Sequence, residues 1–134
     1  MAISYNEQNR VFRLDTPHST YLIGLVDEEG FLAHLYYGRR IPDDDMRYLL
    51  RLDGEDYVPY RRSREQISFL GSLPTEYPGC GRGDFREPCL RLETEEGYRA
   101  CDLTFLSYRI FGGKPPLEGL PATYGGEEDC ATLE

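Results

Sequence analysis

The sequence has no tryptophan, two methionines and two histidines, and it has no surplus of positive charge. Its 15 Lys and Arg are outnumbered by 24 Asp and Glu, giving a net charge of −9 and a pI near 4.7. A field of that sign repels phosphate backbones and anionic lipid. The arginine pairs Arg39–Arg40 and Arg61–Arg62 lie close in sequence to Asp43, Asp44, Glu55 and Asp56, so they form no basic patch. Nucleic acid and membrane surfaces are therefore not expected partners, whereas charge does not exclude a neutral ligand such as a sugar. No apolar run has the length of a signal peptide or a membrane span. The cysteines Cys80, Cys89, Cys101 and Cys130 include no pair at CxxC spacing, and His18 and His34 stand apart from them, so no zinc site is expected. The expected setting is the cytoplasm with reduced thiols, although an even count leaves disulfides open.

The 134 residues suit one domain with one core. A hydrophobic share of 40% and a charged share of 29% lie far from the composition of unfolded chains. Eleven tyrosines and six phenylalanines favour strands, because flat rings pack well on a pleated surface.

Wherever the apolar residues show a period, it is two rather than 3.6. The segments Arg10–Leu14, Thr20–Val26 and Phe31–Tyr37 read as strands, with Asp27-Glu-Glu-Gly30 as a hairpin connection in which glycine supplies positive φ. Two further strands are expected at Cys89–Glu93 and at Tyr98–Leu106, where Cys101, Leu103 and Phe105 share a face. Only Asp43–Leu52 has helical potential, within a region from Ile41 to Ser72 that is otherwise irregular. Leu73–Pro88 is dense in Gly and Pro and reads as coil. At least five strands separated by turns predict an all-β fold, an antiparallel β-sandwich. The strand that begins at Thr132–Leu133 breaks off at Glu134, so a sandwich truncated at its C-terminus, a piece of a longer protein, is expected.

Chemistry-bearing patterns are few. Gly79-Cys-Gly-Arg-Gly83 lacks the Lys-Ser/Thr and the flanking strand and helix of a phosphate cradle, and it reads as a turn. Asp43-Asp44-Asp45 lacks the glycine and distal glutamate of a calcium loop, so its carboxylates read as a solvated face. A cysteine–histidine catalytic pair has no support beyond the presence of both residue types. Glycoside hydrolysis needs two acids facing each other across a sugar, and no acid pair is marked out by its setting. No cofactor or metal is implied.

Four segments carry a resemblance: Leu32-Ala-His-Leu-Tyr-Tyr-Gly38, Pro74-Thr-Glu-Tyr-Pro78, Gly83-Asp-Phe-Arg86 followed by Pro88, and Gly113-Lys-Pro-Pro-Leu-Glu-Gly-Leu-Pro-Ala-Thr-Tyr124. In this order, over nearly the whole chain, they resemble the N-terminal domain of glycoside hydrolase family 36, the bacterial and fungal α-galactosidases. Thr75 stands where the family usually has Gln. The resemblance implies that residues 1–134 are a partial N-terminal domain, part of a β-supersandwich ahead of a (β/α)8 barrel and a small C-terminal β domain. It also implies that the catalytic nucleophile and acid/base are barrel aspartates absent from this chain, acting with retention. In tetrameric bacterial relatives a loop of this domain reaches a neighbouring subunit's active site with an acidic side chain. Arg51-Leu-Asp53 resembles that loop, which makes Asp53 the substrate-binding candidate. A carboxylate there would accept hydrogen bonds from vicinal sugar hydroxyls, but Asp before Gly54 also suits an ordinary turn.

Asp84, Arg86 and Glu76 are expected to satisfy buried backbone rather than touch ligand, and Pro74, Pro78, Pro115, Pro116 and Pro121 to fix the direction of the chain. The expected role is a non-catalytic structural and assembly domain of a homo-oligomeric α-galactosidase, packed on the remainder of its parent enzyme. The alternatives are an independent carbohydrate-binding module and, more remotely, a small enzyme in its own right.

Overall fold

A computed structural model describes residues 2–53, 69–80, 83–121 and 123–134. Strands β1 (Ala2–Asn6), β2 (Val11–Asp15), β3 (Ser19–Val26) and β4 (Phe31–Arg39) form an antiparallel meander in sequence order. A second, two-stranded sheet pairs β5 (Ile110–Gly112) with β6 (Ala131–Leu133). Among the described residues the only helical element is a 3-10 turn at Arg47–Leu49. The all-β, antiparallel class expected from the period-two pattern is the class observed.

The meander closes through tight turns. Gly30 has φ 76°, the left-handed conformation expected of it, and Asp27 at the other end of the same turn has φ 51°. Asp27 tolerates this conformation because its Oδ1 accepts the Glu29 N–H at 2.8 Å, a local turn bond. Arg10, which ends the β1–β2 connection with φ 55°, lies beside that turn and donates from Nη1 to the Asp27 carbonyl at 2.6 Å.

Register decides which residues meet. Leu22 pairs with Tyr36 and Ile23 with His34, so Leu35 is the extra residue of a β-bulge. The bulge turns both Leu35 and Tyr36 toward one face. There Val11, Leu22 and Leu35 form a buried cluster, packed by Ile41, Met46 and Leu50. A second cluster on that face joins Val26, Phe31 and Ala33 to Phe69, Leu70 and Leu73. Leu50 packs against both clusters and so links them. The opposite face centres on Phe12, which stacks on Tyr5 with ring centroids 4.4 Å apart. Tyr108 meets Phe12 edge-on at 5.0 Å and Phe105 lies tilted at 5.9 Å. The meander is thus covered on one face by coil and on the other by the Phe105–Tyr108 segment, with β6 close to β1.

Three expectations are corrected. Cys89–Glu93 and Tyr98–Leu106 alternate in polarity but are not strands. A ladder needs a partner, and among the described residues the second segment makes a single bridge, Cys101 with Cys80, and isolated backbone bonds from Thr94 N–H to Tyr98 O at 2.9 Å and from Phe105 N–H to Gly30 O at 2.8 Å. Asp43–Leu52 is not a helix beyond its one 3-10 turn. Asp44 Oδ1 accepts the Asp45 N–H and Asp45 Oδ1 the Arg47 N–H, bonds that compete with helical ones, and Leu50 is extended. The expectations on Arg61–Arg62, Glu55, Asp56 and Gly54 fall outside the described residues.

Candidate functional site

The path from β4 to Asp53 is fixed at each step. Arg13 on β2 is buried, and its guanidinium donates to the Pro42 carbonyl at 3.1 Å and to that of Ile41. Thr20 Oγ1 accepts the Ile41 N–H at 3.3 Å and donates to Asp15 Oδ1 at 2.6 Å. Asp15 in turn takes Arg13 Nε on Oδ2 at 2.9 Å. This network seats the chain leaving β4 across the face of the sheet that carries Arg13 and Thr20. Arg47 then clamps Asp45 through both Nε and Nη2, and Leu50 enters the core.

Arg51, Leu52 and Asp53 emerge from that anchor onto the surface. The Asp53 carbonyl accepts Ser72 Oγ at 2.8 Å, which ties its backbone to the Phe69–Leu73 side of the core. Its carboxylate faces solvent, 56% exposed, with Oδ2 2.8 Å from Arg51 Nε. The arrangement is an anchored backbone that presents an accessible carboxylate beside a guanidinium. Such a pair accepts and donates hydrogen bonds to adjacent hydroxyls. It does not supply the two facing acids that glycosidic cleavage requires.

The motif residues separate into two groups. Asp84 and Arg86 do what was expected of them. Arg86 Nη1 donates to Leu73 O at 2.6 Å, and Nη2 donates to Leu70 O at 2.9 Å and Thr75 Oγ1 at 3.0 Å. Asp84, only 3% exposed, accepts Arg86 Nε at 2.8 Å and the Gly79 N–H at 3.2 Å. Glu76 differs from expectation, because its partners are side chains rather than backbone. Its Oε1 accepts the Tyr21 hydroxyl and lies 3.4 Å from His34 Nδ1, and the Tyr21 and His34 rings are 5.4 Å apart. Burial, then the hydrogen bond to Glu76 and its negative charge, push the Tyr21 hydroxyl well above the usual tyrosine range. The separation of 55 positions between Tyr21 and Glu76 hid this cluster from any reading of local spacing. Register alone brings it together, since Tyr21 faces Tyr37 on β4 and the Glu76 N–H bonds Leu32 O on the far edge of β4.

The acidic run is also accounted for: Asp43 lies 3.8 Å from Arg13, Asp44 serves a turn and Asp45 pairs with Arg47. Among the described residues no group of three or more His, Cys, Asp or Glu is placed to hold a metal ion, and no helix is long and apolar enough to cross a membrane.

Comparison with known proteins bears on the family and the fold. Residues 30–134 match the family described as glycosyl hydrolase family 36 N-terminal domain. The chain is 40% identical to the bifunctional alpha-galactosidase/sucrose kinase AgaSK of Mediterraneibacter gnavus, over 100% of its own length and 14% of that protein. It is 37% identical to the alpha-galactosidase AgaA of Geobacillus stearothermophilus, over 100% of its length and 18% of that protein. Its backbone superposes on the crystal structure of the GH36 alpha-galactosidase AgaB from Geobacillus stearothermophilus with a TM-score of 0.86 at 38% identity, covering 99% of this chain and 18% of that one. The chain therefore spans less than a fifth of the length of these relatives. Sequence and backbone agree: the chain belongs to the glycoside hydrolase family 36 N-terminal domain.

Proposed function

We propose that this chain is the non-catalytic N-terminal structural and assembly domain of an α-galactosidase, and that it lends Asp53 to substrate binding in a homo-oligomer. In this reading residues 1–134 are part of a larger N-terminal domain, and the parent enzyme hydrolyses terminal α-galactosides with retention in a barrel outside this chain. A cytoplasmic setting is part of the same reading, supported by four cysteines that form no disulfide with one another. The observation that carries the site is the geometry of Asp53, whose backbone is held by Ser72 while its carboxylate stands in solvent.

The test is made in the full-length parent enzyme. Asp53→Ala is expected to raise KM for melibiose about tenfold with kcat largely kept, the loss of one charge-assisted hydrogen bond being about 1.5 kcal/mol. If both constants stay at their wild-type values, Asp53 does not touch the sugar.

A carbohydrate-binding module is favoured by one observation: Tyr37 and Tyr77 are 71% and 53% exposed near the Tyr21–Glu76–His34 cluster. Calorimetric titration of the chain with galactose separates the two. An assembly domain gives no heat of binding, and a module gives millimolar affinity or tighter.

A further inference from the structure

The galactosidase reading uses none of the four cysteines, yet two of them face each other. Cys80 and Cys101 form an antiparallel bridge, with Cys80 N–H donating to Cys101 O at 3.3 Å and Cys101 N–H to Cys80 O at 3.1 Å. Residues that exchange both backbone bonds have Cα atoms roughly 5.5 Å apart and side chains on one face. Disulfides span Cα separations of about 4.4–6.8 Å, so the Cα separation of this pair permits a bridge once the Cβ atoms draw together. Gly79 maintains the close approach, because a Cβ there would lie 2.0 Å from the Cys101 carbonyl oxygen. Access is open as well: Cys80 is exposed, Cys101 is half-buried, and Cys80 lines a surface groove of about 520 Å³ with Pro88, Leu90 and Arg91.

We propose that Cys80 and Cys101 are a modification site, closing to an intramolecular disulfide on reaction with a small-molecule disulfide of the glutathione type. The exposed Cys80, as thiolate, attacks one sulfur of the small disulfide, forming a mixed disulfide and releasing one thiolate. Cys101, as thiolate, then attacks the Cys80 sulfur, forming the Cys80–Cys101 bond and releasing the second. The two protein thiol protons pass to the two released thiolates. Two protein thiols are oxidised and one small disulfide is reduced to two thiols.

Cβ atoms across such a bridge lie roughly 5.5 Å apart, against about 3.8 Å in a relaxed disulfide. The bond therefore closes under strain and reopens readily, the behaviour of a transient redox site in a reducing compartment. When closed, it fastens the coil that carries Asp84 and Arg86 to the segment that docks on Gly30 through Phe105.

The test uses the full-length protein carrying this chain, treated with glutathione disulfide, alkylated and digested with trypsin without reduction. Cleavage at arginine places Cys80 in peptide 65–82, Cys89 in 87–91 and Cys101 in 100–109, so each pairing has its own mass. The expected product is the linked 65–82/100–109 pair, retained in Cys89→Ser. In Cys101→Ser the link is lost and Cys80 carries glutathione instead. Reduction with dithiothreitol should return both wild-type thiols. A Cys80–Cys89 link, or wild-type protein in which Cys80 keeps glutathione while Cys101 is alkylated, would overturn the proposal.

Discussion

Asp15 concentrates the electrostatics of the fold into one residue. Burial by itself would raise its pKa, but the Thr20 hydroxyl, the Arg13 guanidinium and the charge of Arg40 outweigh it and hold the carboxyl below the ordinary 3.8. A folded pKa below the unfolded one means that the carboxylate's contribution is present above the unfolded value. It is lost as the pH falls through the folded value. Asp15→Asn is therefore expected to lower stability at pH 7 by about 1–2 kcal/mol and to flatten the acid limb of the stability curve below pH 4. Urea midpoints measured from pH 7 down to pH 3 check this, and parallel curves for the two proteins would remove Asp15 from the account. Residue type alone suggested nothing here. Asp15 ends an unremarkable alternating strand, and its partners come from that strand (Arg13), from β3 (Thr20) and from the chain beyond β4 (Arg40).

Arg86 acts at the scale of an element, since the coil from Leu73 to Pro88 forms no helix or strand among its described residues. One guanidinium takes the carbonyls of Leu70 and Leu73 and pairs with the buried Asp84. Arg86→Ala leaves that charge and those carbonyls without their partner and is expected to cost about 3–5 kcal/mol, read from the denaturant midpoint. Arg86→Lys should recover little, because an ammonium lacks the planar fork that reaches three acceptors at once. The Gly-Asp-Phe-Arg motif made this pair legible as backbone support. The strands β2, β3 and β4 were legible from their alternation, to within two residues at each end. The strands β1 and β5 were missed: β1 is edged by polar residues and β5 has three residues, too few for a period to show. Tyr98–Leu106 failed in the other direction, because alternation reports which side of a segment is apolar and not whether a neighbouring chain supplies a ladder.

At the scale of the molecule, apolar side chains remain on the outside. Leu106, Tyr124, Leu117 and Leu120 are all strongly exposed, and β1 has β2 as its only ladder partner among the described residues. The other edge of the meander is blunted, because His34 N–H and Leu32 O on β4 bond Pro74 O and Glu76 N–H. Exposed apolar patches and an open strand edge both favour association. The 134-residue chain by itself is expected to sediment as dimers or larger species at micromolar concentration. A monomer across that range would mean that these surfaces are compatible with solvent and would count against an assembly role.

Composition and period by themselves determined the class of this protein. An acidic, tyrosine-rich chain that alternates with period two has to bury one face of an antiparallel sheet, and ordered motif segments carried the family. Tertiary structure decided which distant residues meet. The Tyr21–Glu76 bond, the Arg13 seat under Ile41 and Pro42, the placement of Asp53 over Ser72 and the opposition of Cys80 to Cys101 each join residues that no local spacing relates. The physical reason is register: a strand's alternation fixes the face a side chain points to, whereas its partner across the sheet depends on how the strands slide and where the bulge falls.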